Sequence, residues 1–223
     1  MTTLIMRVHS ASLDRQEACG TPLISIEMPV IGRDALHCGI FIINSALNVS
    51  KQANIVLIGP MGAGKTTVGR QLAQQLRLSF VDSDQEIEKR TGVDISTIFE
   101  FEGEDGFRQR EAAMMAELGA HEGIVLATGG GSVIRAENRA CLQQAGFVVY
   151  LYTPVSVQLR RTARDRKRPL LQTENPKERL QALFSERDPL YREIADLVVD
   201  TSGEHLRGTV RQIIKGFKAQ TAM

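Results

Sequence analysis

Gly59-Pro60-Met61-Gly62-Ala63-Gly64-Lys65-Thr66-Thr67 sets three glycines, a lysine and two hydroxyls between an apolar run, Ile55–Ile58, and a helical pattern carrying Val68, Leu72 and Leu76. A strand, a glycine-rich loop and a helix in that order make a phosphate-binding loop. Glycines let the chain curl so that successive N–H groups point inward at a helix N-terminus, where an anion is favoured. Gly62, Ala63, Gly64, Lys65, Thr66 and Thr67 are therefore the expected contacts to nucleotide phosphates. Lys65 reaches the outer phosphates as a point charge. The Thr66 hydroxyl suits Mg²⁺, a hard cation that prefers oxygen and bridges phosphates.

Asp82-Ser83-Asp84 closes a second apolar run with two carboxylates at i and i+2, and groups so spaced can serve different neighbours. Asp82 is placed to hold Mg²⁺ with Thr66, directly or through water. Asp84 is placed to orient a substrate hydroxyl and accept its proton. Ser83 or Asp84 also suits the cap of a helix over Gln85–Arg90. Further on, Phe99 and Phe107 offer aromatic walls. Arg108 and Glu111 lie at i,i+3, where pairing would hold the guanidinium still while its free edge takes a carboxylate. The same residues also read as a solvated ion pair beside two core phenylalanines.

Thr128-Gly129-Gly130-Gly131 follows a third apolar run, and three glycines permit close backbone approach with N–H donors exposed to a ligand. The most basic segment runs from Arg160 to Pro169. It suits a mobile lid whose Arg161 and Arg168 close over nucleotide phosphates; a solvated basic loop is the plainer alternative. It lacks the interleaved aromatics of a nucleic-acid patch. Arg187, in Arg187-Asp188-Pro189-Leu190-Tyr191, is a second candidate carboxylate clamp. Asp200-Thr201-Ser202-Gly203 ends the last apolar run and could shape an adenine pocket.

These groups meet only if the elements between them bring them to one edge. Strands are expected at Ile55–Ile58, Ser79–Asp82, Ile124–Thr128, Phe147–Tyr152 and Asp196–Asp200. Helices are expected at Lys65–Leu76, Glu104–Leu118, Arg135–Ala145, Pro176–Phe184 and about 204–217. Such alternation implies a parallel sheet covered by helices on both faces, with ligands beyond the carboxyl ends of the strands. At 223 residues, 43% hydrophobic and 24% charged, with a net charge of +1, the chain gives no reason to expect nucleic acid or an anionic membrane as a partner. No stretch is long and apolar enough to span a bilayer. Cys19, Cys38 and Cys141 show no metal-ligand spacing, and a reduced, cytoplasmic setting is the simpler expectation.

Residues 1–50 carry short apolar pieces without a sustained period. Asp14, Glu17, Glu27 and Asp34 argue against a transit peptide, and no basic segment leads into an apolar one as in a secretory signal. They are expected to form a poorly ordered N-terminal extension, or an upstream extension of the reading frame with the working chain starting near Val49. Residues 51–223 form the domain that does the chemistry.

The ordered set G-P-M-G-A-G-K-T-T, D-S-D, I-F-E-x-E-G-E-x-x-F-R, G-G-G, R-P-L-L and R-D-P-L-Y resembles the shikimate kinase family over nearly all of residues 53–217. The resemblance implies an α/β fold of the P-loop NTPase type, a three-layer α/β/α sandwich with a five-stranded parallel sheet in the order 2-3-1-4-5. It implies a substrate-binding segment at about 83–111 and a lid at about 162–176. The implied reaction is phosphorylation of the 3-hydroxyl of shikimate by ATP with one Mg²⁺, a step of aromatic amino-acid biosynthesis. Lys65 and Arg168 match the pair that stabilises the transferred phosphoryl group, and Thr66 with Asp82 matches the metal site. Asp84 matches the residue that holds the ring hydroxyls and acts as base. Arg108, Arg187 and Gly129, Gly130 and Gly131 match the shikimate cradle, and Phe99 and Phe107 are expected as aromatic walls of the substrate site. Arg161 and Thr201 match positions near adenine. Residues 1–50 have no counterpart.

A gluconate kinase would share the fold and the phosphate loop without requiring the F-R, G-G-G and R-D-P-L-Y set together. A nucleoside monophosphate kinase would need features for an acceptor base. A GTPase switch would carry N-K-x-D, which is missing. A non-catalytic nucleotide-binding module would have lost Lys65, Asp84 or Arg108, and all three are present. The expectation is a monomeric cytoplasmic enzyme acting on a small molecule, with neither nucleic acid nor membrane as partner.

Overall fold

The computed structural model describes residues 53–163, 173, 175–203 and 205–221. The expected extension at 1–50, Arg168, most of the expected lid, Cys19 and Cys38 lie outside the described residues. The elements are β1 (Asn54–Ile58), α1 (Lys65–Leu76), β2 (Ser79–Asp82), α2 (Ser83–Thr91), α3 (Ile95–Gly119), β3 (Ile124–Ala127), α4 (Ala136–Ala145), β4 (Gly146–Tyr152), α5 (Val155–Thr162), α6 (Pro176–Ile194), β5 (Leu197–Asp200) and α7 (Leu206–Thr221). The five strands form one sheet in the order β2-β3-β1-β4-β5, as the family resemblance implied, and every pairing is parallel.

The strand sequences explain the layering. β1 and β4 are continuous apolar runs rather than alternating ones, as strands covered on both faces must be. Successive side chains point to opposite faces. Val56, Ile58, Leu126 and Tyr150 join one core with Met115, Leu142 and Tyr191 from the α3, α4 and α6 side. Ile55, Leu57, Val149 and Leu151 join the other with Val68, Leu72, Val210 and Ile213 from α1 and α7. The register keeps the strands level: Leu57 and Asp82 both lie beside Ala127, Ile58 beside Tyr150, and Tyr152 beside Asp200. The loops that follow these strands therefore leave from one edge.

Several elements depart from the sequence expectation. The expected helix Glu104–Leu118 is the second half of α3; a first half, Ile95–Glu102, precedes it across Gly103, whose φ of 69° and ψ of −174° are not helical. α5 occupies the start of the segment assigned to a basic lid, because Val157, Gln158 and Thr162 give it a buried stripe. α6 runs past Phe184 to Ile194 with Pro189 inside it. Asn175 caps that helix, accepting from the Glu178 N–H, and Pro176 sits at its first position, where no N–H is needed. The last helix starts at Leu206 rather than 204.

At the opposite edge of the sheet, one buried side chain joins three segments. Asn54 Nδ2 donates to the carbonyls of His121 at 2.6 Å and Ala145 at 2.9 Å, and its Oδ1 accepts from the Ile124 N–H at 3.0 Å. The start of β1 is thus tied to the start of β3 and the end of α4. Asn54→Ala removes all three bonds from a buried position and should lower stability by about 3 kcal/mol. Urea unfolding of the variant checks this; a loss near zero would mean the three bonds hold nothing together.

Candidate active site

The phosphate loop is set by a steric constraint and a helix start. Gly59 has φ of 139°, and a Cβ there would stand 2.7 Å from the Leu151 carbonyl oxygen. Only glycine passes the end of β4 at that distance. Gly64, at φ of 90°, precedes α1 and offers no side-chain cap, so the first-turn N–H groups of α1 face the loop. Lys65 Nζ donates to the carbonyls of Gly59 at 2.7 Å and Pro60 at 2.9 Å, laying its ammonium across the loop. A cavity of about 210 Å³ brings Gly62, Gly64, Lys65, Thr66 and Thr67 together with Asp82, Asp84, Thr128 and Gly130.

Thr66 Oγ1 donates to Asp82 Oδ2 at 2.9 Å, and Asp82 Oδ1 accepts from the Asp84 N–H at 3.2 Å. Asp82 therefore caps α2, correcting the expectation that Ser83 or Asp84 does so. The cap falls to Asp82 because the helix starts one residue after it, which leaves the Asp84 side chain for other work. Among the described residues no cluster of three or more His, Cys, Asp or Glu could cage a metal. Thr66 and Asp82 nevertheless supply two hard oxygens side by side, which fits Mg²⁺ bound mainly through phosphates and water.

A second group lies on Gly129–Gly131. Ser83, fully buried, accepts the Gly129 N–H at 3.1 Å. That donor is thus used within the protein rather than offered to a ligand. The glycines instead admit neighbouring side chains. A Cβ on Gly129 would stand 2.7 Å from Asp84 Oδ1 and 2.8 Å from Glu111 Oε1, and one on Gly131 would overlap the Arg108 guanidinium. Arg108 is 7% exposed; it donates to Glu111 Oε2 at 2.7 Å and Glu104 Oε1 at 2.9 Å. A solvated ion pair is therefore excluded. Arg108 also lies over the Phe107 ring, which packs on Phe99 with centroids 4.8 Å apart. Phe107 is a core residue and Phe99 the outer ring. Arg187, also buried, donates to the Gly130 carbonyl at 3.3 Å.

Burial dominates the electrostatics here. It pushes the Glu111 carboxyl above its ordinary range, against the pull of Arg108 and Arg187. Burial also opposes the charge on Arg108, but Glu111 and Glu104 more than restore it. Arg108 Nε, Arg187 Nε and Glu111 Oε1 are buried without a hydrogen bond among the described residues. Glu104 was missed as a partner, although its i,i+4 spacing to Arg108 could have flagged it.

Arg161 corrects a third expectation. It belongs to α5 and not to a mobile loop, and it braces two loops by donating to the carbonyls of Gly62 at 3.0 Å and Thr201 at 2.8 Å. Thr201 is buried, its hydroxyl 2.7 Å from that of Thr153. Arg161 and Thr201, the two residues expected near adenine, thus meet beside the phosphate loop.

The family model described as shikimate kinase matches residues 61–218. The chain is similar to the shikimate kinase of Thioalkalivibrio sulfidiphilus, with 64% identity over 76% of this chain and 90% of that protein. It is similar to the solved structure of the Acinetobacter baumannii shikimate kinase in complex with shikimate, with 53% identity, a TM-score of 0.74, and coverage of 76% of this chain and 94% of that one. A gluconokinase from Sinorhizobium meliloti, at 20% identity and a TM-score of 0.51 over 76% of this chain and 94% of that one, shares the fold alone.

The raised carboxyl of Glu111 has a definite sign in stability. A carboxyl whose folded pKa exceeds its unfolded value contributes stability fully present below the unfolded value and lost as pH rises through the folded one. The melting temperature of the wild type minus that of Glu111→Gln should therefore fall as pH rises from the ordinary glutamate range upward, then level off. A difference that rises over that interval would place the Glu111 carboxyl below its usual range.

Proposed function

The chain belongs to the shikimate kinase family, and from that premise we propose that it moves the γ-phosphoryl group of ATP to the 3-hydroxyl of shikimate with the residues assembled above. The observation that carries the assignment is the buried pair Arg108 and Arg187 with a single buried carboxylate, Glu111, between them. Two buried guanidiniums meet one buried carboxylate, and the second carboxylate on Arg108, Glu104, stands half-exposed at the rim where water screens it, so the buried part of the site beside the phosphate loop favours an anion. A substrate carboxylate meets that preference, and the planar guanidinium matches a carboxylate in bidentate fashion. The Phe99 ring, backed by the buried Phe107, suits the apolar face of a ring substrate, which open-chain gluconate does not offer.

The division of work follows from position. Gly62, Ala63, Gly64, Thr66 and Thr67 bind nucleotide phosphates through the loop backbone and hydroxyls, and Lys65 neutralises charge on the transferred group. Arg168 joins Lys65 in that role. Thr66 and Asp82 would hold Mg²⁺, which would supply charge neutralisation to the nucleotide phosphates. Arg161 and Thr201 border the adenine. Asp84, against Gly129 in the same cavity, accepts the proton of the 3-hydroxyl as its oxygen bonds to the γ-phosphorus and the bond to the ADP oxygen breaks. Arg108, Arg187 and the triple glycine orient the ring, so little covalent help is needed beyond positioning and charge. The enzyme works as a cytoplasmic monomer on a small molecule, without nucleic acid or membrane; an ATP-consuming step of aromatic amino-acid biosynthesis suits that setting. Residues 51–223 carry the activity and 1–50 are an extension to it.

ADP release by the full chain with ATP, Mg²⁺ and shikimate should be strong, and release with gluconate or without acceptor should stay at background. Acceptor-independent or gluconate-driven release would overturn the substrate assignment. Asp84→Asn should keep ATP binding and lose roughly 10²- to 10⁴-fold in kcat; near-normal turnover would remove Asp84 as the base. Arg108→Ala should raise KM for shikimate well above any change in KM for ATP, and equal rises would contradict the clamp.

A further inference from the structure

Arg187 and the triple glycine are joined by a residue that the proposed mechanism leaves unused. Tyr191 lies one helical turn beyond Arg187 on α6 and is 1% exposed. Its hydroxyl donates to the Gly130 carbonyl, the same oxygen that accepts from Arg187 at 3.3 Å. We propose that Tyr191 is a positioning residue for substrate binding: its hydroxyl pins the Gly130 carbonyl and, through it, sets the Arg187 guanidinium against the substrate carboxylate.

Four features make such a pin necessary and effective. Gly130 has glycine on both sides, so its peptide plane rotates at little cost unless something holds it. The bond to Gly130 is the one hydrogen bond of Arg187 among the described residues, and its Nε is buried without one. Between the two residues α6 contains Pro189, which has no N–H to give the Ser185 carbonyl, so the helix ladder just ahead of Arg187 is one bond short. The anchor itself is rigid. The Tyr191 ring stacks on Tyr150 with centroids 4.9 Å apart. Tyr150 donates its hydroxyl to Asp188 Oδ1 at 2.8 Å, and Arg192 donates to Asp188 Oδ2 at 2.8 Å. Burial raises the Tyr191 pKa, so the hydroxyl stays a donor at any pH used for assay. Arg187, Asp188 and Tyr191 thereby form one device.

The proposal rests on Arg187 taking the substrate carboxylate, and the test separates the two ideas. Steady-state kinetics are measured on the full chain, Tyr191→Phe, Arg187→Ala and the double variant, with melting temperatures for each. Tyr191→Phe keeps the stacked ring and loses only the hydroxyl. It should raise KM for shikimate by roughly tenfold, the worth of one well-placed hydrogen bond, with kcat and KM for ATP little changed. In the Arg187→Ala background the same change should add nothing further to KM. Tyr150→Phe, which loosens the anchor while leaving the Gly130 bond, should give a smaller rise of the same kind. A lower melting temperature with unchanged KM in Tyr191→Phe would make the hydroxyl merely structural and overturn the proposal. A full, undiminished effect in the double variant would overturn it too, because Tyr191 would then act without Arg187. An Arg187→Ala variant with normal KM for shikimate would instead remove the clamp itself, and the proposal with it.

Discussion

A chain can cross the end of a neighbouring strand at contact distance only where it carries no side chain, and Gly59 beside Leu151 is that crossing. The site depends on it. β1 lies in the middle of the sheet, buried on both faces between β3 and β4, and its continuation must turn over β4 to place the phosphate loop at the head of α1. The level register then carries the other loops to the same edge. Two backbone bonds extend the ladder beyond the strands: the Thr128 N–H donates to the Leu57 carbonyl at 3.1 Å and the Thr201 N–H to the Tyr152 carbonyl at 2.9 Å. The triple glycine and the loop after β5 thereby inherit the register of the sheet, and no separate device is needed to aim them.

Against this apolar frame, the cluster of Arg108, Glu111 and Arg187 is costly. Removing charges from water carries a penalty that pairing only partly offsets, and apolar residues of the same volume would serve stability as well or better. The penalty is visible in the raised carboxyl of Glu111, which two neighbouring guanidiniums fail to bring down. Such a cluster is best explained where its buried guanidiniums have a use. Burial also sharpens it, because a carboxylate entering a dry positive site gains far more than one meeting exposed arginines. Glu104, half-exposed at the rim, moderates the charge on Arg108 without cancelling it.

The fold was legible because its strands are contiguous apolar runs and its phosphate loop has a local signature; β1, α1 and β2 fell within a residue of expectation. Elements without a local signature were not. α5 is concealed by Arg160 and Arg161, whose charges dominate the composition while Val157, Gln158 and Thr162 do the packing. α6 was expected to stop at Phe184, but Asp188 and Tyr191, bound to distant partners, anchor its continuation to Ile194. In the site, residue identity was readable but direction was not. The spacing of Arg108 and Glu111 gave their pairing, yet burial depends on α3 packing beneath Gly131, more than twenty residues along the chain. The N–H of Gly129 seemed available to a ligand because nothing local reveals Ser83 beneath it.

Arg161 shows why basic residues near a phosphate loop are easily misassigned. An anion-binding loop works through its N–H groups, so whatever steadies the loop must use its carbonyls. Carbonyls take donors, and the strong long-reaching donors are arginine, lysine and buried hydroxyls. The same solution recurs around this site: Lys65 on Gly59 and Pro60, Arg161 on Gly62 and Thr201, Arg187 and Tyr191 on Gly130, and Arg139 on Val133 and Ile134. Glycine-rich segments lose much conformational entropy on ordering and have no side chains of their own to offset it. Donors from the flanking helices supply that order through carbonyls and take none of the phosphate-loop N–H groups. A cation beside such a loop therefore has two possible jobs, and the carbonyl it touches tells which one it performs when the site is at rest.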